Sequence, residues 1–212
     1  MTRHWGSTRR SKVRVARIVD RTLVLGPGPR AVVVVQGCEL RCRGCTVPET
    51  HDRDGGSSIP VADLASRLNA IGGIAGVTFT GGEPFLQAGA LATVIEALRA
   101  ERPELSTMAY SGYRIEWLRA KGSPAQVELL DRLDLLVDGP YVERLHAPLR
   151  WRGSSNQRIH SLTDRHRGEL REMEDGSAGI ELSFDREQNV EWVGVPPVSG
   201  FARRLAGTGR QA

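Results

Sequence analysis

The chain has 212 residues, of which 40% are hydrophobic and 25% charged, with a net charge of +4. That is enough for one domain with a packed core, and no apolar run approaches the roughly 18 residues of a membrane span, so the reading is of a protein with no membrane association. The positive charge sits at the ends: residues 1–14 carry five cations and no acid, residues 198–212 carry three, and removing these eight from +4 leaves −4 for the body. The folded part therefore offers no basic surface, and specific nucleic-acid binding is not expected. Residues 1–12 read as a flexible basic N-terminus, 13–197 as the folded domain and 198–212 as a disordered tail.

The N-terminus has basic residues but no apolar stretch behind them, so it does not read as a secretory signal, and a cytoplasmic location is expected. The chain has three cysteines, Cys38, Cys42 and Cys45. An odd number of thiols this close together makes a poor disulfide framework. Clustered thiols in a cytoplasmic chain point instead to a metal.

In chain order, Val13–Leu25 alternates enough for one or two short strands, closed by Gly26-Pro27-Gly28-Pro29. Ala31–Gln36 is a continuous apolar run, as in a strand buried on both faces of a parallel sheet. It leads into a loop, Gly37–Asp54, that holds the cysteines and ends in Gly55-Gly56-Ser57-Ser58. Helices are predicted over Val61–Ile71, Ala88–Arg102, Arg114–Lys121 and Pro124–Leu133, the first two from apolar residues three and four apart. Strands are predicted over Val77–Thr80, Leu105–Tyr110 and Leu135–Val137. Ile159–Leu162 and Ile180–Val195, the latter with a turn at Gln188-Asn189, are candidate edge strands. Strands alternating with helices of this length are βαβ units, so the fold class is α/β with a mostly parallel sheet.

Glycine-containing polar turns follow nearly every strand: Gly37-Cys38, Gly81-Gly82-Glu83, Ser111-Gly112 and Asp138-Gly139. Parallel α/β folds place their active sites at these C-terminal strand ends, so the four turns should share one rim. Three thiolates from one short loop suit a cubane in which each takes one iron and the fourth iron stays open. A Cys₃His zinc site completed by His51 is the alternative, and buried free cysteines are a third. The other histidines, His4, His146, His160 and His166, have no ligand pattern and read as structural. Trp151–Arg158 is dense in hydrogen-bond donors, suited to a carboxylate, ribose or peptide, or simply to capping an edge strand.

Cys38-x₃-Cys42-x₂-Cys45 directly after the first sheet strand resembles the signature of the radical SAM superfamily. The resemblance implies a [4Fe–4S] cluster whose open iron chelates S-adenosylmethionine. It also implies an open partial (βα) barrel. Thr80-Gly81-Gly82-Glu83-Pro84 resembles the second motif, which implies that backbone carbonyls and the Glu83 acid meet the methionine ammonium. Gly44 replaces the frequent aromatic before the third cysteine and resembles the Cys-x-Gly-Cys of anaerobic ribonucleotide reductase activases, leaving only backbone for an adenine contact there. The turns at Ser111 and Asp138 resemble those of the glycyl-radical activating group. That resemblance implies that Ser111 binds the methionine carboxylate or ribose, and that Asp138 orients ligand or partner. Similarity spans residues 13–197. It implies reductive cleavage of S-adenosylmethionine, with flavodoxin or ferredoxin as electron donor, to activate a glycyl-radical enzyme. A radical enzyme acting on a small molecule or peptide, and a cluster- or zinc-binding module without turnover, are the alternatives.

Overall fold

The computed structural model describes residues 11–173, 176, 179–184, 190–201 and 204–205. Most of the basic N-terminus, most of the C-terminal tail and the Gln188-Asn189 turn lie outside the described residues.

The main sheet has seven strands: β1 (Lys12–Thr22), β2 (Arg30–Val35), β3 (Ser57–Pro60), β4 (Gly76–Gly81), β5 (Ser106–Ser111), β6 (Leu135–Asp138) and, two strands later in the chain, β9 (Arg158–Ser161), in the spatial order β3-β1-β2-β4-β5-β6-β9. The central strands β2, β4, β5 and β6 are parallel neighbours. The outer pairings, β1 with β2 and β3 and β6 with β9, are antiparallel. The architecture is thus α/β, with a parallel centre and antiparallel flanks. β2 is buried along its whole length, as its unbroken apolar run requires.

The crossovers are made by α1 (Val61–Asn69), α2 (Ala88–Glu101), α3 (Ile115–Lys121) and α4 (Pro124–Asp131). All four feed one core: Leu64 and Leu68 of α1, Leu91, Ile95 and Leu98 of α2, Leu118 of α3 and Leu129 of α4 pack with Ala31, Val33 and Val35 of β2 and Phe79 of β4. Strand residues alternate between faces, so Val32 and Val34 turn to the other side, where they join Leu25 and Val193. The four crossover helices therefore cover one face; the other holds the site at its strand ends and, beside Met108, Leu135 and Val137, a small cluster with Trp151 and Leu170.

Arg30 is buried on that open face at the base of the sheet. Its guanidinium donates to Thr78 Oγ1 and Ser106 Oγ and to the carbonyls of Pro27, Val77 and Ser106. Burial pulls its pKa down to about 10, against the opposing pull of Asp134.

Four short elements lie outside the predicted pattern. These are β3, the hairpin β7 (His146–Leu149) and β8 (Arg152–Ser154), and α5 (Arg167–Glu172). Ile159–Leu162 does flank the sheet, as β9. The final hairpin, β10 (Ile180–Phe184) and β11 (Val190–Gly194), does not; it forms its own two-stranded sheet. It lies over the face opposite α1–α4, where Val193 meets Leu25, Val32 and Val34. Its polar anchors are Arg17, which donates to the Trp192 carbonyl, and Glu181, which accepts from the Leu23 amide. Among the described residues no helix is long and apolar enough to cross a membrane.

Candidate active site

The C-terminal ends of β2, β4, β5 and β6 surround one cleft. Its lining includes Cys38, Cys42 and Cys45 from the first turn, Thr80–Glu83 from the second, Tyr110–Gly112 from the third, and Gly139 and Tyr141 from the fourth, with Gly153, Gln157 and Trp192–Pro196 from later segments. Of the predicted site residues, Pro84, Gly44 and Asp138 are outside that lining. Pro84 is buried at the start of a short 3₁₀ turn, and Gly44 lies behind the cysteine loop.

The cysteine loop is held from beneath. Gln36, the residue after β2, donates from Nε2 to the carbonyls of Glu49 and Asp52. Gln87 donates to the carbonyls of Arg14 and Gln36, and Arg14 donates to Asp54 and Gly55. These three side chains fasten the far end of the loop to β1 and β2. No sequence signal marked them, because amides that bind carbonyls follow no fixed spacing.

Within the loop, the Cys45 amide donates to the Cys42 carbonyl at 3.1 Å. Arg41 and Gly44 both adopt positive φ, at 45° and 73°. At Gly44 a Cβ would also fall 2.7 Å from Glu143 Cδ, which follows from the 3.2 Å ion pair of Glu143 with Arg43. Glycine at 44 is therefore set by backbone and packing.

The three thiols are half-buried and electrostatically coupled. Burial pushes Cys45 up to about 11, with Cys42 and Cys38 adding to the rise. Cys42 is raised by burial and then by Cys38. The raised thiols of Cys42 and Cys45 favour the neutral form, and a metal bound at this mouth would offset that by stabilising thiolates. Among the described residues no three His, Cys, Asp or Glu side chains close on a point as a single metal ion requires. A cubane makes no such demand, since each thiolate takes a different iron. His51 lies beside Cys42 and Cys45 with its Nε2 buried.

The second turn packs directly on the root of the first. The Gly82 amide donates to the Val35 carbonyl at 2.8 Å and the Glu83 amide to the Gly37 carbonyl at 2.9 Å. A Cβ on Gly82 would lie 2.3 Å from the Gly37 oxygen, and one on Gly81, at φ +98°, would lie 2.5 Å from Val34 Cγ1 and 2.8 Å from the Val35 oxygen. Gly82 is thus demanded by backbone against backbone, and Gly81 by its own left-handed φ and by close neighbours of both kinds.

Glu83 then ties the second turn to the third. Its Oε1 accepts from the Phe85 amide and the Ser111 hydroxyl, and its Oε2 from the Gly112 amide. Burial raises the carboxyl to about 7, although these three donors oppose the rise. Ser111 is occupied as well, donating to Glu83 and accepting from the Tyr113 amide.

Asp138 sits at the fourth strand end but faces away from the cleft. Its carboxylate is fully buried among Arg158, the Ile115 amide, His160 and Arg114. Several of the Arg152–Arg158 donors are likewise used inside the protein. Gln157 Oε1 accepts from the Gly153 and Ser154 amides while its Nε2 donates to the Gly139 carbonyl, and Asn156 donates to the Pro140 carbonyl. Only Gly153 and Gln157 of that stretch reach the cleft. His146 and His166 pair with Tyr141 and Glu169.

Residues 24–160, which contain the cysteine loop and all four turns, match the family described as a 4Fe-4S single cluster domain. The class is thereby that of a protein with one iron–sulfur cluster. Enterobacteria phage T4 has an anaerobic ribonucleoside-triphosphate reductase-activating protein 34% identical over 70% of this chain and 94% of its own length. The protein of that name from Escherichia coli (strain K12) is 32% identical over 66% of this chain and 93% of its own. A pyruvate formate-lyase-activating enzyme from Clostridium pasteurianum is 42% identical, over 35% of this chain and 33% of its own. The chain belongs to the glycyl-radical-enzyme activating group of the radical SAM enzymes.

Proposed function

We propose that this chain activates an anaerobic ribonucleoside-triphosphate reductase by abstracting hydrogen from a backbone glycine of that protein. The observation that carries the reading is one cleft lined jointly by the three thiols and the Gly81-Gly82-Glu83 turn. Support also comes from relatives bearing that name, which match this chain along nearly their whole length.

Cys38, Cys42 and Cys45 would hold the cluster. Bound there, it would relay one electron from an external reductant for reductive cleavage of S-adenosylmethionine to methionine and a 5′-deoxyadenosyl radical. The chain's own residues bind and shield. A methionine ammonium needs acceptors, which the Gly82 carbonyl and the remaining lone pair of Glu83 Oε2 supply. An ammonium there also favours the ionised form of Glu83, drawing its pKa down from about 7. Ser111 keeps Glu83 aimed and stands beside the carboxylate or ribose of the same ligand. Backbone at Gly139 lines the wall. Asp138 acts through Arg158 and the start of α3, positioning the fourth turn. Trp192, Val193 and Val195 make an apolar wall that keeps water from a reactive carbon. We read the face opposite α1–α4 as the inside of an open partial barrel, whose side would stay open to a polypeptide. A cytoplasmic setting and a flavodoxin or ferredoxin donor complete the reading.

The test is anaerobic reconstitution. About four irons per chain, and 5′-deoxyadenosine on reduction with S-adenosylmethionine, are expected. Cys42→Ala should lose both. Tightly bound zinc with no iron uptake would sink the reading and favour a zinc module with His51.

A further inference from the structure

The β10–β11 hairpin has its polarity reversed. Cross-strand partners Leu182 with Trp192 and Phe184 with Val190 place these four residues on one side. The other side carries Glu181, Ser183, Glu191 and Val193. An antiparallel sheet with one wet face normally turns its apolar side inward. Here the polar side is the inner one: Glu181 accepts from the Leu23 amide, and Val193 alone enters the core. The apolar side faces out, with Leu182 51%, Phe184 70% and Val190 44% exposed. Exposed aliphatic and aromatic side chains gathered on one face mark an interaction surface.

This face runs into the cleft. Trp192 belongs to it and also lines the cleft, followed along the strand by Val193, Val195 and Pro196. A polypeptide lying along β11 towards the cleft would pass Val190 and Trp192, beside Phe184 and Leu182 of the paired strand. Phe201 of the chain itself packs edge-on against Trp192, with ring centroids 5.4 Å apart, and leaves Leu182, Phe184 and Val190 exposed; residues 202–212 beyond it suit these three poorly, since Leu205 is their single large apolar side chain, set among three arginines. We propose that the outer face of β10–β11 is the docking arm for the protein substrate. It would take an apolar, extended segment next to the target glycine and lay it along the strand that leads into the cleft. The inference rests on the function proposed above.

The experiment uses the full reconstituted chain with the co-encoded anaerobic ribonucleoside-triphosphate reductase. In Leu182→Glu/Phe184→Glu the new charges sit on exposed positions, so the fold and the cluster should survive, checked by melting temperature and iron content. Glycyl radical formed on the reductase, followed by EPR, should need at least tenfold more reductase to reach half its maximum. Formation of 5′-deoxyadenosine without reductase should be unchanged. Phe184→Leu, which keeps the face apolar, should stay near wild type.

An unchanged reductase dependence in the double variant would overturn the proposal. So would a dimer of wild type that the variant converts to monomer with radical transfer intact, because the face would then serve self-association. Residues 202–212 would be the occupant instead if their deletion, with the hairpin intact, tightened reductase binding while the double variant had no effect. If wild type makes 5′-deoxyadenosine but no radical on the reductase, the proposed function has failed; binding of that reductase, measured directly, then decides the docking arm by itself.

Discussion

Gly82→Ala isolates what the second turn does for the fold. Its new Cβ would sit 2.3 Å from the Gly37 oxygen, 2.9 Å from Gly37 C and 3.1 Å from Gly37 N, all backbone atoms. The two turns must part by roughly 1 Å to reach an ordinary non-bonded separation. That movement stretches the Gly82–Val35 and Glu83–Gly37 hydrogen bonds, now 2.8 and 2.9 Å, beyond useful range. Two lost bonds at about 1 kcal/mol each, with about 1–3 kcal/mol of overpacking strain, give a loss of about 3–5 kcal/mol. For a chain of this size that is roughly a 10 °C fall in melting temperature. Gly72→Ala is the matched control, because no heavy atom lies within 4 Å of its Cβ. Thermal and urea unfolding followed by circular dichroism would measure both. Melting of Gly82→Ala within about 2 °C of Gly72→Ala, a difference worth only about 1 kcal/mol, would refute the backbone reading and leave those glycines to the ligand alone.

Arg30→Met should lower unfolding free energy by about 3–5 kcal/mol in urea titration, since each buried acceptor left without a donor costs about 1–3 kcal/mol. It strands two hydroxyls and three carbonyls around an apolar stump. Arg30→Lys should recover only part, since an ammonium cannot reproduce the planar fork. Burial raises the pKa of Asp138, but Arg158, the Ile115 amide and His160 outweigh it and leave a net depression. A depressed carboxyl stabilises the fold fully above its unfolded pKa, near 3.8, and loses that contribution as pH falls through the folded value. Wild type should therefore be stabilised by this group at neutral pH and shed that stability below pH ~4. Asp138→Asn should be less stable at pH 7 and show a shallower acid limb, read from melting temperature across pH 2–7. Equal acid limbs would contradict the assignment.

The parts of the fold legible in the sequence were those where burial writes a period. Ala31–Val35 was readable because both its faces are covered, and α2 because Leu91, Ile95 and Leu98 fall on one side. β3 was not, since Gly55-Gly56-Ser57-Ser58 carries turn chemistry and Ser57–Pro60 becomes a strand only by pairing with β1. The β7–β8 hairpin is similar, short and polar, and it turns through Trp151, which packs on Leu135 and Val137. The edge position expected for Ile180–Val195 failed because alternation reveals two faces without saying which one meets the body.

In the site, residue spacing made the cysteine loop and the Gly-Gly-Glu turn legible as neighbours. It could not reveal that Glu83 also accepts from Ser111, Gly112 and Phe85, or that Asp138 is locked to Arg158. Those roles depend on donors 28, 29 and 20 residues away in the chain. The Gln36, Gln87 and Arg14 clasp left no trace at all.

The decisive measurement is EPR on an anaerobic ribonucleoside-triphosphate reductase after anaerobic incubation with the reduced, reconstituted chain and S-adenosylmethionine. A glycyl-radical doublet on the reductase that requires Cys38, Cys42 and Cys45 is expected. A reductase that stays silent while the chain turns over S-adenosylmethionine on a small molecule would contradict the proposed function.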